Sequence, residues 1–173
     1  MKLSAEELLN KFSKSSSHPL EVRRISMMIF DEASEKIREM SNKERKYLEA
    51  AALLHDIGYY IDSKGHNKHS MRMVIENGIS GFDEREEKIT GCICRYHRGG
   101  LPDKNDHEVY NTLEKKDRKM VKRLAGILKI ADGLDRGHLN LIKKIHLSYD
   151  EENNITEFIL TPNTPEFRPD ISS

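Results

Sequence analysis

The chain has 173 residues, and its 34% of charged side chains divide evenly into 29 basic and 29 acidic ones. This length suffices for one domain with a core of its own, and the balanced net charge favours neither a nucleic-acid partner nor an acidic substrate. We expect a cytoplasmic protein, because no apolar run approaches the roughly 20 residues of a membrane span, no signal-peptide segment opens the chain, and the two cysteines in GCICRY lie too close together for an ordinary disulfide.

Three helices are predicted in the first part of the chain. A serine followed three residues later by a glutamate, the capping-box pattern, marks helix starts at Ser4 and Ser41. Between them, Pro19 stands near the start of a long helix that should run to Met40 with apolar residues on one face. The helix after Ser41 carries the segment EAAALLHDIGYY, and we expect Gly58 to end it.

Three more helices and a β-hairpin are predicted downstream. We expect a short helix over KHSMRMVIENG, which ends at Gly78. A second helix should span DEREEKITGCICRYHRGG, from Asp83 to Gly99. The last long helix is predicted over DRKMVKRLAGILKIADGLDRG. From Ile145 the apolar period changes to two, and a polar DEENN loop precedes ITEFIL, which is typical of a hairpin. The tail from Thr161 has three prolines and no periodicity, so it should be irregular or need a partner to become ordered.

Metal-capable side chains fall on the apolar faces of four predicted helices. Residues three or four apart share a helix face, and five such residues stand at these offsets from apolar ones: His18, His55, His97, Asp132 and Asp135. One inward histidine is usually a hydrogen-bonded core residue, whereas a buried carboxylate needs a positive partner. Two carboxylates and three imidazoles that converge from four helices are best neutralised by a bound cation, so the pattern favours a metal site.

His55 and Asp56 lie in the last turn of their predicted helix. The unpaired carbonyls of a helix end favour a cation there. Adjacent helical residues diverge by about 100°, so one side chain can follow the core face while the next reaches around the end. This divergence would allow two metal ions to bind side by side, with Asp56 as the carboxylate that bridges them.

The order of these residues resembles the HD superfamily of metal-dependent phosphohydrolases. Its H…HD…D pattern is carried by His18, by His55 with Asp56, and by Asp132 in IADGLD. The fuller series AALLHDIGYYI, GHNKHS, GFDEREEKI, RYHR and LAGILKIADGLDR closely resembles the HD domain in the C-terminal half of Ppx/GppA exopolyphosphatases. The resemblance implies an all-α fold: an HD-type helical bundle over residues 1–140, then a small C-terminal β-hairpin and an irregular Pro-containing tail over residues 141–173.

The resemblance also implies a set of ligands. The four core metal ligands are His18, His55, Asp56 and Asp132. His69 and His97 match the extra histidines of two-metal HD proteins. The family often has a doubled histidine where this sequence has His66 followed by Asn67, so His66 is left as either an outer-sphere residue or a loop residue.

Ligands of this kind restrict the metal and the chemistry. Imidazoles with carboxylates suit one or two divalent ions of Mn, Fe, Ni, Co or Zn better than Mg or Ca. Such ions lower the pKa of a bound water, which can then attack phosphorus. Lys68, Arg98 and Arg136 are the candidates that would hold the phosphate oxygens. Each could equally be a solubilising surface charge, and Arg136 could pair with Asp132 or Asp135 instead.

We therefore expect a metal-dependent phosphohydrolase whose partner is a phosphorylated small molecule, either a nucleotide or a polyphosphate-like phosphoanhydride. The alternative is a non-catalytic module that binds metal or polyphosphate, related to the accessory HD domain of exopolyphosphatases. In two-part members of that family the phosphatase activity is ascribed to actin-like domains that these residues do not include, so any hydrolysis should occur at the HD site. No nucleic acid or membrane is expected as a partner, and a homo-oligomer stays open.

Overall fold

The protein is a bundle of helices with a β-hairpin at its C-terminal end, seen in a computed structural model that describes residues 1–102 and 107–164. The helices over these residues are α1 (Ala5–Phe12), α2 (Ser17–Lys36), α3 (Asn42–Leu54), α4 (His66–Asn77), α5 (Glu84–Tyr96), α6 (Glu108–Asn111) and α7 (Lys115–Leu134), and a 3₁₀ turn spans Ile57–Tyr60. The strands are β1 (Ile142–Asp150) and β2 (Ile155–Pro162). The predicted fold class is confirmed. None of the described helices combines the length and apolar character that a membrane crossing requires.

Three of the helices begin at capping boxes. The side chains of Ser4, Ser41 and Asp83 each accept a hydrogen bond from the backbone N–H three residues later, and the glutamate there accepts one in return. Each cap stabilises its helix by about 1 kcal/mol. All three helix starts were predicted from the sequence.

The predicted C-terminal end of α2 was wrong. α2 ends at Lys36, and Ile37 beyond it is 40% exposed, although the apolar spacing continued to Met40. The chain leaves the helix because the N–H of Met40 donates to the hydroxyl of Ser34 at 2.9 Å, which turns the buried Met40 back toward the core.

α3 lies at the centre of the bundle and brings its C-terminal end into the interior. It packs against α1, α2, α5 and α7, and every residue from Ala50 to Leu54 is buried. The small side chains of Ala50, Ala51 and Ala52 allow the neighbouring helices to approach closely. His55, which follows directly, is therefore fully enclosed by other helices.

The hairpin is an extension of the same core. Ile142, Ile145 and Leu147 of β1 are buried in one apolar cluster with the helices, which confirms the predicted alternation from Ile145. The outer edge of β1 is covered by side chains of α2: Glu32 accepts from the N–H of Leu147 at 2.8 Å, and Lys36 donates to its carbonyl at 3.0 Å. An edge covered in this way does not offer free backbone groups to another strand.

The hairpin extends further along the chain than the sequence predicted. β2 pairs with β1 as far as Pro162, so the strand takes in Thr161 and Pro162, which we had assigned to an irregular tail. The tail from residue 165 lies outside the described residues.

Candidate metal centre

Four imidazoles surround the carboxylate of Asp56. Its Oδ2 lies 3.4 Å from Nε2 of His55 and 3.8 Å from Nε2 of His18. Its Oδ1 lies 3.3 Å from Nε2 of His66 and 3.7 Å from Nε2 of His97. Each oxygen of this carboxylate thus faces its own pair of imidazole nitrogens. Each pair of histidines forms a group with Asp56, and the ligand atoms within each group all lie within 4.8 Å of one another. This geometry could hold two cations with Asp56 between them.

All four rings present Nε2 because an oxygen holds Nδ1. The acceptors and distances are the carbonyl of Ala52 for His55 (2.8 Å), the carbonyl of Ser63 for His66 (3.2 Å), the carbonyl of Cys94 for His97 (2.6 Å) and Oδ2 of Asp135 for His18 (2.8 Å). A carbonyl oxygen only accepts, so Nδ1 carries the proton and the lone pair of Nε2 remains available. Acceptors of this kind fix the tautomer of histidine ligands in metal sites.

The Nε2 atoms of His66 and His97 lie 3.4 Å apart. With both rings in the tautomer that their carbonyl acceptors impose, two lone pairs face each other, which is repulsive unless a cation lies between them. Two bonds to one ion, each of about 2.0–2.1 Å, can span this separation.

His55 gives an independent indication of a cation. The residue is fully buried, and its Nε2 makes no hydrogen bond to any described residue. The nearest oxygens belong to Asp56 at 3.4 Å and Asp132 at 3.6 Å. A buried polar atom without a partner costs about 1–3 kcal/mol, and a cation between these three groups would remove that cost.

Two carboxylates from the end of α7 complete this half of the cluster. Oδ1 of Asp132 lies 3.1 Å from Nε2 of His18. Asp135, the C-cap residue of α7, is buried, and it accepts from the N–H of Asn140 at 3.2 Å in addition to its bond with His18. Asp132 can therefore reach a cation directly, whereas Asp135 stands behind the ring of His18.

The protonation of the cluster follows from burial and from these carboxylates. Burial disfavours the charge on Asp132, but the hydrogen bond from His18 and the nearby ring of His55 outweigh it and hold the pKa of this carboxyl far below its ordinary value. Burial lowers the pKa of His97 to about 4, so this ring is neutral at pH 7. For His18, burial acts in the same direction, but the hydrogen bonds with Asp132 and Asp135 outweigh it and raise the pKa. A metal ion would compete with that proton.

Gly58 allows α4 to pack closely against the end of α3. A Cβ at this position would lie 1.9 Å from the carbonyl oxygen of His66 and 2.6 Å from the backbone nitrogen of Ser70, and the N–H of Gly58 donates to the Ser70 hydroxyl at 2.8 Å. The sequence predicted Gly58 as the end of a helix, which was wrong: α3 already ends with His55 as its C-cap. Gly58 is required by the close approach of α4, which carries His66 to Asp56.

The structure brings together five of the six ligands expected from the sequence. They are His18, His55, Asp56, His97 and Asp132. His69 is the exception and lies elsewhere, with its Nδ1 3.4 Å from Nη2 of Arg72. His66 takes its place, because α4 begins at His66, two residues before the predicted start at Lys68. The family that the sequence resembles often has two consecutive histidines at this position. That feature is the signal in the sequence that could have identified His66 as a ligand.

A cavity of about 840 Å³ opens over this cluster, and its walls include His18, Asp56 and Asp132. The expected cations Arg98 and Arg136 line it, whereas Lys68 does not and faces a different cavity. Among the described residues, Arg136 has no ion-pair partner, so the alternative pairing with an aspartate of α7 is not seen.

Several residues of this cavity had no signal in the sequence. Lys11 and Lys14, at the end of α1 and just after it, add two more cations. The ring of Tyr59 stacks on His66 with 4.2 Å between the ring centroids, and its hydroxyl accepts from Arg98 at 3.5 Å. The ring of His138 stacks on His18 at 4.0 Å. These positions depend on how the helices and turns pack, which no periodicity records.

Comparison with protein families gives a match over most of the chain. The family model described as Ppx/GppA phosphatase, domain III, matches residues 2–165 of the 173 residues. The matched segment runs from just before α1 to just beyond β2, so it includes every residue of the cluster around Asp56.

Proposed function

The chain belongs to the family of the Ppx/GppA phosphatase domain III, an exopolyphosphatase-related module, and from this premise we propose that it is a metal-dependent phosphohydrolase of the HD type. Its substrate is a phosphorylated small molecule, either a nucleotide or a polyphosphate-like phosphoanhydride. The four imidazoles that present Nε2 to the two oxygens of Asp56 support this proposal most directly.

The residues divide into two adjoining half-sites that share Asp56. The first consists of His18, His55, Asp56 and Asp132, and the second of Asp56, His66 and His97. Imidazoles with carboxylates suit Mn, Fe, Ni, Co or Zn better than Mg. When bound, such ions polarise a phosphoryl oxygen and lower the pKa of water. Because the second half-site has only the shared carboxylate, we expect it to bind its ion more weakly.

The cavity supplies the binding of the phosphate groups. Lys11, Lys14, Arg98 and Arg136 surround its opening. Guanidinium groups match two oxygens of a phosphate at once, and cations placed around the phosphorus stabilise the charge of the transition state. A volume of about 840 Å³ lies in the range of sites for nucleotides and other small molecules. These side chains would orient the phosphate with its phosphorus above Asp56.

The proposal is tested by measuring metal content and phosphate release on the same samples. Untagged protein is loaded with Mn²⁺, freed of excess metal, analysed by mass spectrometry, and assayed against a panel of nucleotides and short polyphosphates. We expect bound metal and turnover for the wild type, and the loss of both for Asp56→Ala. Asp31→Asn serves as the control, since Asp31 is exposed and its ion pair with Arg45 is on the surface.

The outcomes separate the proposal from its alternative. Protein that holds metal but releases no more phosphate than Asp56→Ala on the whole panel would be a non-catalytic module that binds metal or a polyphosphate. Protein that holds no transition metal at all would exclude the metal-dependent hydrolysis and the metal-binding module, and would leave only a module that binds polyphosphate without metal.

A further inference from the structure

A second cavity with cationic walls lies between α4, α5 and α6. Its volume is about 410 Å³, and the side chains around it include Lys68, His69, Arg72, Arg95, Tyr96 and Tyr110. Among the described residues it shares no lining residue with the cavity over Asp56. Lys68 and His69, which the sequence predicted as a phosphate-binding residue and a metal ligand, both line this separate cavity.

Lys68 and Arg95 lie on a different side of α4 and α5 from the histidines that face Asp56. Lys68 follows His66 by two residues on α4, and Arg95 precedes His97 by two residues at the end of α5. Residues two apart in a helix point about 200° away from each other. The imidazoles therefore face Asp56 while the cations face the opposite side. A ligand in the second cavity would not touch the metal centre.

The helix ends that separate the cavities are tied to each other. The side-chain nitrogen of Asn67 donates to the carbonyl of Arg95 at 2.7 Å and to the carbonyl of Arg98 at 3.3 Å. Arg95 and Lys68 are thus held by fixed backbone, with only their side chains free to adjust.

The charges of the second cavity are not balanced. Lys68 and Arg95 have no ion-pair partner among the described residues, and Arg72 has only Glu76 at 3.9 Å, with both side chains more than half exposed. Glu108 is the one carboxylate in the described lining. Three fixed cations against one anion in a concave surface concentrate anions from solution.

Tyr96 adds a buried donor to this wall. The residue is 6% exposed, and its hydroxyl donates to no described residue. Burial raises the pKa of Tyr96 to about 12, so the hydroxyl keeps its proton. The hydroxyl of the neighbouring Tyr110, by contrast, donates to the carbonyl of Arg118 at 3.3 Å. A buried donor without an acceptor is rare in folded proteins and needs an explanation.

We propose that this cavity is a second, non-catalytic anion site that binds a phosphorylated organic molecule. Lys68, Arg72 and Arg95 bind the phosphate oxygens, for which guanidinium groups have matching geometry. Met71 and Val109, which also line the cavity, contact the organic part. A cavity of this volume belongs to the range of small-molecule sites and is larger than a phosphate ion needs. The site includes none of the residues around Asp56. The result of its test therefore does not depend on whether the protein catalyses the proposed hydrolysis.

Calorimetric titration with adenosine 5′-monophosphate tests the site, in the presence of a chelator that prevents hydrolysis. Adenosine and inorganic phosphate are titrated in parallel. We expect saturable binding of the monophosphate, tighter than that of either fragment. The variant Lys68→Gln/Arg95→Gln should bind at least about tenfold more weakly, because it loses two charge-assisted hydrogen bonds to the phosphate.

The matched control is Lys122→Gln/Arg38→Gln, at exposed positions that line neither cavity, and it should not change the affinity by more than about twofold, a change that corresponds to only about 0.4 kcal/mol. Arg136→Gln, in the cavity over Asp56, reports any monophosphate that binds there instead. Circular dichroism and metal content should be unchanged in all variants. The proposal is overturned if the monophosphate does not bind, if adenosine binds as tightly, or if Arg136→Gln abolishes binding while Lys68→Gln/Arg95→Gln retains it.

Discussion

Asp135 holds the ring of His18 from behind, with Oδ2 at 2.8 Å from Nδ1. Nε2 of His18 is thereby directed toward Asp132 and Asp56. The other three imidazoles of the cluster are held by backbone carbonyls, so His18 alone depends on a side chain for its orientation. A carboxylate also increases the basicity of the ring that it holds, which strengthens a metal–nitrogen bond.

The first prediction concerns this pair. Asp135→Ala should weaken metal binding about 10–100-fold, as the loss of outer partners of histidine ligands generally does. The affinity is measured by competition with a chromogenic chelator. Asp117→Asn is the matched control on the same helix, because Asp117 is also fully buried but pairs with Arg85 at 2.8 Å. It should lower stability and leave metal affinity unchanged, and equal effects of the two variants would contradict the role of Asp135.

The second prediction distinguishes His66 from His69. His66→Ala should reduce the bound metal from two ions to one, because His66 and His97 face each other at 3.4 Å in the half-site that has only a shared carboxylate. His69→Ala should retain both ions. The ratio of metal to protein after equilibration with excess Mn²⁺ decides between them. A loss of metal in His69→Ala with full occupancy in His66→Ala would support the ligand set expected from the sequence instead.

The difference between these two histidines shows what the sequence could and could not predict. His18, His55, His97 and Asp132 stand at helical offsets from apolar residues, so the sequence indicated their shared inward direction. α4 has no such mark at its start: its N-cap is Gly65, in a left-handed conformation, without a side-chain cap. The predicted helix began two residues late, so His66 was left in the preceding loop and its position on the face of α4 was not considered.

Other parts of the site depend on packing that periodicity does not record. Lys11 and Lys14 reach the cavity because of the way α1 packs against α3 and the 3₁₀ turn, and neither lies on an apolar stripe. By contrast, capping boxes fixed the starts of α1 and α3, since their hydrogen bonds are local and involve residues only three apart.

The third prediction concerns Gly58. Gly58→Ala should push α4 away from the end of α3, because the new Cβ would lie 1.9 Å from the carbonyl oxygen of His66. We expect a lower unfolding temperature and the loss of the ion held by His66 and His97. Gly126→Ala is the control in α7, where a Cβ would meet nothing within 4 Å. That change should stabilise the protein by about 0.5–1 kcal/mol and leave two ions bound.

The fourth prediction tests the cations of the cavity. Arg98→Gln should lower kcat/KM for phosphate release by about 10–100-fold without reducing the metal content, because its charge is placed to bind phosphate rather than metal. Arg38→Gln, at an exposed position outside this cavity, is the control and should retain wild-type kinetics. If Arg98→Gln lost metal in proportion to activity, the arginine would be needed for the integrity of the centre and not for the substrate.

The last prediction concerns the junction between α2 and the hairpin. Glu32 accepts from Lys36 at 2.6 Å and from the N–H of Leu147 at 2.8 Å, and Nδ1 of His146 lies 3.3 Å away. The bond with Lys36, then that with Leu147, lowers the pKa of Glu32 to about 2. A carboxyl whose pKa is lower in the folded state stabilises the fold above its unfolded pKa, here near 4.5, and this stabilisation is lost as the pH falls toward 2.

Glu32→Gln should therefore reduce the free energy of unfolding at pH 7 by about 1–2 kcal/mol, the contribution of a hydrogen bond to a charged group. The difference between wild type and variant should shrink as the pH falls from about 4.5 to about 2, because protonation removes the same charge from the wild type. Urea denaturation at a series of pH values measures it. Glu35→Gln, one turn along α2 at an exposed position, is the control and should show a small difference at every pH. A Glu32→Gln difference that stays constant down to pH 2 would mean that the charge of Glu32 does not stabilise the docking of β1 on α2.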